Sequence, residues 1–134
     1  MDRLFLDANV LFSAAYREGA PLRRLWDRQD AELLTSGYAV LEAERHLQGD
    51  QRTRLAELLK GVRIVAEAAA RPLLPGPAVL RAKDVPILAA AVAAGATHLI
   101  TGDRRDFGPH FGEKLAGVMI VPPRDYLSAA KPRR

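Results

Sequence analysis

The 134-residue chain has no cysteine, which excludes disulfides, thiolate metal sites and a thiol nucleophile. It also lacks a long apolar run. The N-terminus passes directly into Leu4-Phe5-Leu6 and then Asp7, a pattern that is neither a secretory leader nor a membrane span. The expectation is a cytoplasmic protein with no membrane contact. Lysine is scarce, four against sixteen arginines, with none before Lys60 or between Lys83 and Lys114. That scarcity opposes a phosphoryl-accepting aspartate site, which needs a lysine close by. The three histidines, His46, His98 and His110, show neither zinc-ligand spacing nor a nucleophile partner, so histidine acid–base chemistry ranks low. His98 falls in a strand and reads as packed or hydrogen-bonded. No internal repeat is present.

The length and an apolar fraction of 49% suit one α/β domain over residues 1–130, followed by a frayed basic tail at 131–134. The Pro-rich stretch Pro72–Pro77 is short enough to be an internal connection. A formal charge of +4 is compatible with a polyanionic partner, and the arginine bias suits phosphate geometry.

Leu4-Phe5-Leu6 reads as a central strand covered on both faces, because its apolar residues do not alternate with polar ones. A helix is expected from Val10 to Ala15, capped by Asn9, and a short one from Pro21 to Arg28. Glu32–Thr35 forms the second strand, broken at Ser36 or Gly37, and Tyr38–Leu47 the next helix. Another helix covers Thr53–Leu59 and ends at Gly61, and Val62–Val65 makes a third strand. Ala68–Lys83 is ambiguous, helical in its alanines and near Val79 but interrupted by prolines. Val85–Ala94 is a clear helix pattern with Asp84 as its expected N-cap and Gly95 as its stop. Leu99-Ile100-Thr101 is a strand, and Leu115–Val121 contains a last short one. Strands alternating with helices imply crossover connections and a parallel sheet.

Open parallel sheets place their sites beyond the carboxyl ends of the strands. Asp7 and Asp103 each follow a strand, Asp84 stands at the mouth of a helix, and Glu42 lies one to two turns into the helix after strand two. Each has an ordinary alternative: Asp7 and Asp84 as caps, Asp103 as a turn residue, Glu42 as a solvated helix glutamate. Glu44 points about 200° away from Glu42, so the two do not serve one site. Gathered together, the four carboxylates would repel one another unless a divalent cation compensated them. Oxygen donors suit Mg²⁺ or Mn²⁺, which acidify water and stabilise charge on phosphate. Asn9, Ser36, Thr101 and Asp106 are candidate supporting residues. For Asn9, Ser36 and Thr101 the competing role is local hydrogen bonding, and for Asp106 a cap of the Phe107 turn. Arg104 and Arg105 are candidate RNA contacts, set against simple solvation.

Leu6-Asp7-Ala8-Asn9-Val10-Leu11, the spacing from Thr35-Ser36 to Glu42 with Arg45 and Leu47, Lys83-Asp84-Val85-Pro86 through Ala91, and Leu99-Ile100-Thr101-Gly102-Asp103 through Phe107 together resemble the PIN-domain nucleases. The likeness is to the small prokaryotic, VapC-like branch that includes the toxins of toxin–antitoxin modules, and it covers Leu4 to about Val121. It implies a three-layer α/β/α domain with a central parallel β-sheet, divalent metal, and RNA hydrolysis leaving 5′-phosphate and 3′-hydroxyl ends. It also implies an acidic quartet of Asp7, Glu42, Asp84 and Asp103. A cognate antitoxin protein and a homodimer are the partners it suggests, with Trp26, Tyr38 and Phe111 as core or interface residues. A toxin role depends on a neighbouring antitoxin gene and a cellular target. The competing function is a non-catalytic RNA- or antitoxin-binding module on the same scaffold.

Overall fold

The computed structural model describes residues 1–66 and 84–129. The ambiguous stretch Ala68–Lys83 and the basic tail at 131–134 fall outside these residues. Strand β1 (Asp2–Leu6) is central, as its unbroken apolar run requires. Leu4, Phe5 and Leu6 are fully buried between two strand neighbours and the layers above and below. Each such side chain contributes about 1.5–3 kcal/mol on leaving water. β1 pairs in parallel with β2 (Ala31–Ser36) and β4 (His98–Ile100), setting Phe5 opposite both Leu34 and Leu99.

The sheet order is β3-β2-β1-β4-β6-β5, within an α/β/α architecture. β3 (Arg63–Val65) lies beyond β2, and β6 (Val118–Val121) beyond β4, all in parallel. The sheet is nevertheless mixed. β5 (Lys114–Leu115) runs antiparallel to β6 and closes the far edge. The single strand expected within Leu115–Val121 is therefore a hairpin. Its two turn residues, Ala116 (φ 51°) and Gly117 (φ 87°), take the left-handed conformations that a two-residue hairpin turn demands.

Helix α1 (Ala8–Tyr16) packs against α2 (Gly37–Glu44) and α3 (Asp50–Leu59), while α4 (Val85–Ala93) lies over β2 and β4. A 3-10 segment, Pro21–Asp27, stands where a short helix is expected, and α5 (Pro123–Ala129) packs against it. Several boundaries differ from the sequence pattern. α1 begins earlier and is capped by Asp7 rather than Asn9, since Asp7 Oδ1 accepts from the Ala8 amide at 2.7 Å. α2 stops at Glu44 instead of Leu47. α3 starts at Asp50, where Gln51 Oε1 folds back to accept from the Gln48 amide at 2.9 Å. Asp84 precedes α4 but its carboxylate makes no cap hydrogen bond, so capping does not account for it.

The C-terminus of α4 is closed by a Schellman turn. Ala96 N–H donates to Ala91 O at 3.0 Å and Gly95 N–H to Val92 O at 3.1 Å, with Gly95 at φ 74°. Arg3, reaching from β1, donates to Gly95 O (3.0 Å) and Ala94 O (2.7 Å) and pairs with Glu32 at 3.1 Å. Trp26, Tyr38 and Phe111 are half-buried and pack on the core, and Trp26 Nε1 donates to Leu58 O at 2.9 Å. His98 is packed and hydrogen-bonded, as read from its strand position: Nδ1 meets Thr97 Oγ1 at 2.7 Å, and the ring stands edge-on to Tyr126. No helix among the described residues is long and apolar enough to cross a membrane.

Candidate functional site

From β1 the chain moves to β2 on one side, and β4 enters on the other. A crevice opens beyond the strand ends where the order reverses. Asp7 leaves β1 at that point and Asp103 follows β4 by three residues. Thr101 continues β4, its amide donating to Val121 O at 3.1 Å, while the Asp7 amide donates to Ile100 O at 3.0 Å. The backbone itself therefore sets the two acidic turns side by side.

A cleft of about 280 Å³ opens there, and Asp7, Asn9, Glu42, Asp84 and Asp103 line it, with Phe12, Tyr38 and His46 among its other walls. Four carboxylates far apart in sequence thus face one space. Asp84, Asp103 and Asp106 form the tightest group, each offering a carboxylate oxygen within 4.8 Å of the others. All of these donors are oxygen, and the group includes the buried Asp84 and the half-buried Asp103 and Asp106. Such a hard, concentrated donor set is able to chelate a divalent cation, which would offset the mutual repulsion.

Asp7 is held by three donors. Beyond the Ala8 amide on Oδ1, its Oδ2 accepts from Thr101 Oγ1 at 2.8 Å and from Asn9 Nδ2 at 3.2 Å. Burial still prevails: desolvation pushes the Asp7 carboxyl above the usual carboxylate range, against those hydrogen bonds, and the nearby Asp103 charge pushes the same way. Asn9 is fixed in turn, its Oδ1 accepting from the Gly102 amide at 2.8 Å. Thr101 Oγ1 accepts from the Asp103 amide at 3.1 Å, which joins the β1 and β4 turns through one hydroxyl.

One oxygen of Asp103 accepts from the Arg105 and Asp106 amides, both at 3.0 Å. This turn orients the Asp103 carboxylate and brings Asp106 round to the same side. The turn role and a place in the cluster therefore coexist. Glu42 is about one-third exposed and pairs with Arg45 one turn on, at 3.2 Å. In so solvated a setting that pair holds Glu42 only weakly. Ser36 is buried away from the cleft wall and caps α2, its Oγ accepting from the Ala39 amide at 3.2 Å. Arg104 and Arg105 are exposed on the turn; Arg104 faces a second groove beside the cleft.

Asp106, a candidate supporting residue by its sequence position, has its carboxylate beside Asp84 and Asp103. Phe12, Tyr38 and His46 also line the cleft, a role that the sequence positions of Phe12 and His46 do not suggest. The signal was present for Tyr38, which sits one turn before Glu42 on the same helical stripe.

A family model described as the PIN domain matches residues 3–105. Among solved structures, the chain is similar to one from VapBC2 of Rickettsia felis, whose crystal structure is of the complex bound to a DNA fragment from its promoter. The two share 15% identity at a TM-score of 0.58, covering 90% of this chain and 98% of that one. No curated protein matches the sequence.

Proposed function

The chain belongs to the PIN-domain family, and from that premise we propose that it is a cytoplasmic, divalent-metal-dependent ribonuclease, the toxin of a toxin–antitoxin pair. The observation that carries this reading is the convergence of Asp7, Glu42, Asp84 and Asp103 on one cleft, with Asp106 beside the last two. Asp84, Asp103 and Asp106 would hold Mg²⁺ or Mn²⁺, with Asp7 and Glu42 completing the acidic wall. The cation, when bound, supplies positive charge beside a scissile phosphate and acidifies water.

The chain's own residues prepare the site. Asn9 and Thr101 fix the Asp7 carboxylate, and the amides of Arg105 and Asp106 fix Asp103. In the reaction, a water oxygen bonds to phosphorus and releases one proton to solvent as the bond to the 3′ oxygen breaks. One product keeps the 5′-phosphate, and the other leaves as a 3′-hydroxyl after taking up a proton from solvent. A cognate antitoxin partner is supported by the likeness to a chain of the VapBC2 complex. A homodimer remains the proposed assembly.

The test is incubation of wild-type and Asp7→Asn proteins with a mixed cellular RNA pool in Mn²⁺, Mg²⁺ or chelator, with new 5′ ends mapped by sequencing. Discrete, metal-dependent 5′-phosphate ends made by wild type and lost in folded Asp7→Asn are expected. RNA retained intact in a stable complex would instead make the protein a binding module.

A further inference from the structure

A second groove, about 980 Å³ in volume, adjoins the acidic cleft, and Phe12 lines both. Its character is opposite. Arg17, Arg104 and Arg124 line it against one carboxylate, Asp125, among the described residues. These arginines come from the end of α1, the turn after Asp103, and the start of α5. Gly102, in the same turn as Asp103, lines it too, so the groove begins where the acidic cluster ends.

A row of rings connects the two spaces. His46 in the cleft stands edge-on to Phe12, with centroids 6.4 Å apart, and Phe12 meets Tyr16 in the groove at 5.2 Å. Phe12 and Tyr16 are one turn apart on α1, so both project from the same side of that helix. Tyr16 is 51% exposed, a large ring that the core does not use. An exposed ring, Tyr16, continued by the half-buried Phe12 and bordered by guanidinium groups, matches a single nucleic-acid strand: rings stack on bases whatever their identity, and arginines track the phosphates. Duplex bases are already stacked on one another and offer no such faces.

We propose that this groove binds the single-stranded RNA segment flanking the scissile phosphate, with bases stacked on Phe12 and Tyr16 and phosphates held by Arg17, Arg104 and Arg124. The choice of RNA as occupant rests on the ribonuclease reading; the groove's shape and charge do not. It makes Tyr16 and the three arginines substrate-positioning residues, and it favours unpaired RNA over duplex without a strict sequence code.

The experiment measures binding of a fluorescein-labelled, mixed-sequence single-stranded RNA decamer by anisotropy in chelator, so that no cleavage is needed. Tyr16→Ala should weaken binding by roughly fivefold or more, whereas Tyr16→Phe keeps it, because the ring and not the hydroxyl stacks. An abasic decamer should bind wild type more weakly and erase the Tyr16→Ala difference. The triple variant Arg17→Ala, Arg104→Ala, Arg124→Ala should flatten the salt dependence of log K by roughly 2, at about 0.7 per phosphate contact on a single strand.

Wild-type affinity in Tyr16→Ala together with an unchanged salt slope in the triple variant would overturn the proposal, leaving the groove to a protein segment. So would failure of wild type to bind the decamer. Metal-dependent cleavage measured separately keeps the two readings apart. Cleavage with unchanged KM in these variants overturns the groove alone, and Tyr16-dependent binding without cleavage overturns the ribonuclease alone.

Discussion

Thr101 serves both acidic turns: its hydroxyl donates to Asp7 and accepts from the Asp103 amide. Its bond to Asp7 is the largest influence holding that carboxyl down against burial. Thr101→Val, nearly isosteric, should raise the Asp7 pKa further, read by carboxyl-carbon NMR titration of the metal-free protein. The ionised form is the one that binds a cation, so the pH midpoint of metal-dependent activity should move upward as well. Loss of the acceptor for the Asp103 amide should cost about 1–2 kcal/mol in denaturant unfolding. In wild type, between the ordinary value of 3.8 and the raised native value, native Asp7 keeps a proton that the unfolded chain has released. Its contribution to stability is therefore full below the ordinary value of 3.8 and is lost as pH rises through the raised native value. An unshifted carboxyl resonance in Thr101→Val would refute this account. At this scale Asp7, Asp84 and Asp103 were legible because each stands at a strand end or helix mouth. The closeness of Asp106 to Asp84 was not, because it depends on a turn folding back onto a helix distant in sequence.

Helix α4 acts as a strut that carries Asp84 at one end and is fastened at the other. Arg3 holds the fastened end through two α4-terminal carbonyls while pairing with Glu32 on β2. Arg3→Met, keeping most of the stem, should lower unfolding stability by about 1–2 kcal/mol. The Arg3 contacts lie at the amino end of β1, opposite the cleft, so cleavage per folded molecule should be retained. A variant with unchanged stability would show that the Schellman turn suffices alone. The α4 pattern was readable from its apolar run, Pro86 and Gly95, as was the central position of β1 from three consecutive buried residues. The antiparallel β5 was not, since two residues are too few to show a period. The early start of α3 was missed because its fold-back bond comes from Gln51, inside the helix.

Across the whole molecule, a formal +4 coexists with a cleft walled by four carboxylates, which a bound cation would neutralise. A cation that binds only the folded cleft should stabilise the protein by about 2.7 kcal/mol at a hundredfold excess over Kd. In thermal denaturation, Mn²⁺ should therefore raise Tm by roughly 5–10 °C relative to chelator. Asp103→Asn should remove most of that rise, and identical Tm values with and without Mn²⁺ in wild type would exclude the cluster as a cation site. Fold class was legible at this scale from the alternation of strands and helices; the neighbouring groove was not, because its walls come from α1, the Arg104 turn and α5 together. The scattered origin of the acidic donors also sets a schedule. Asp7 and Glu42 leave the ribosome early, but the carboxylates they face follow only with α4 and β4, and Thr101 is tied to Val121 later still. The growing chain therefore has no complete acidic cleft while its first half is being translated, and the cluster is finished only near the end of synthesis.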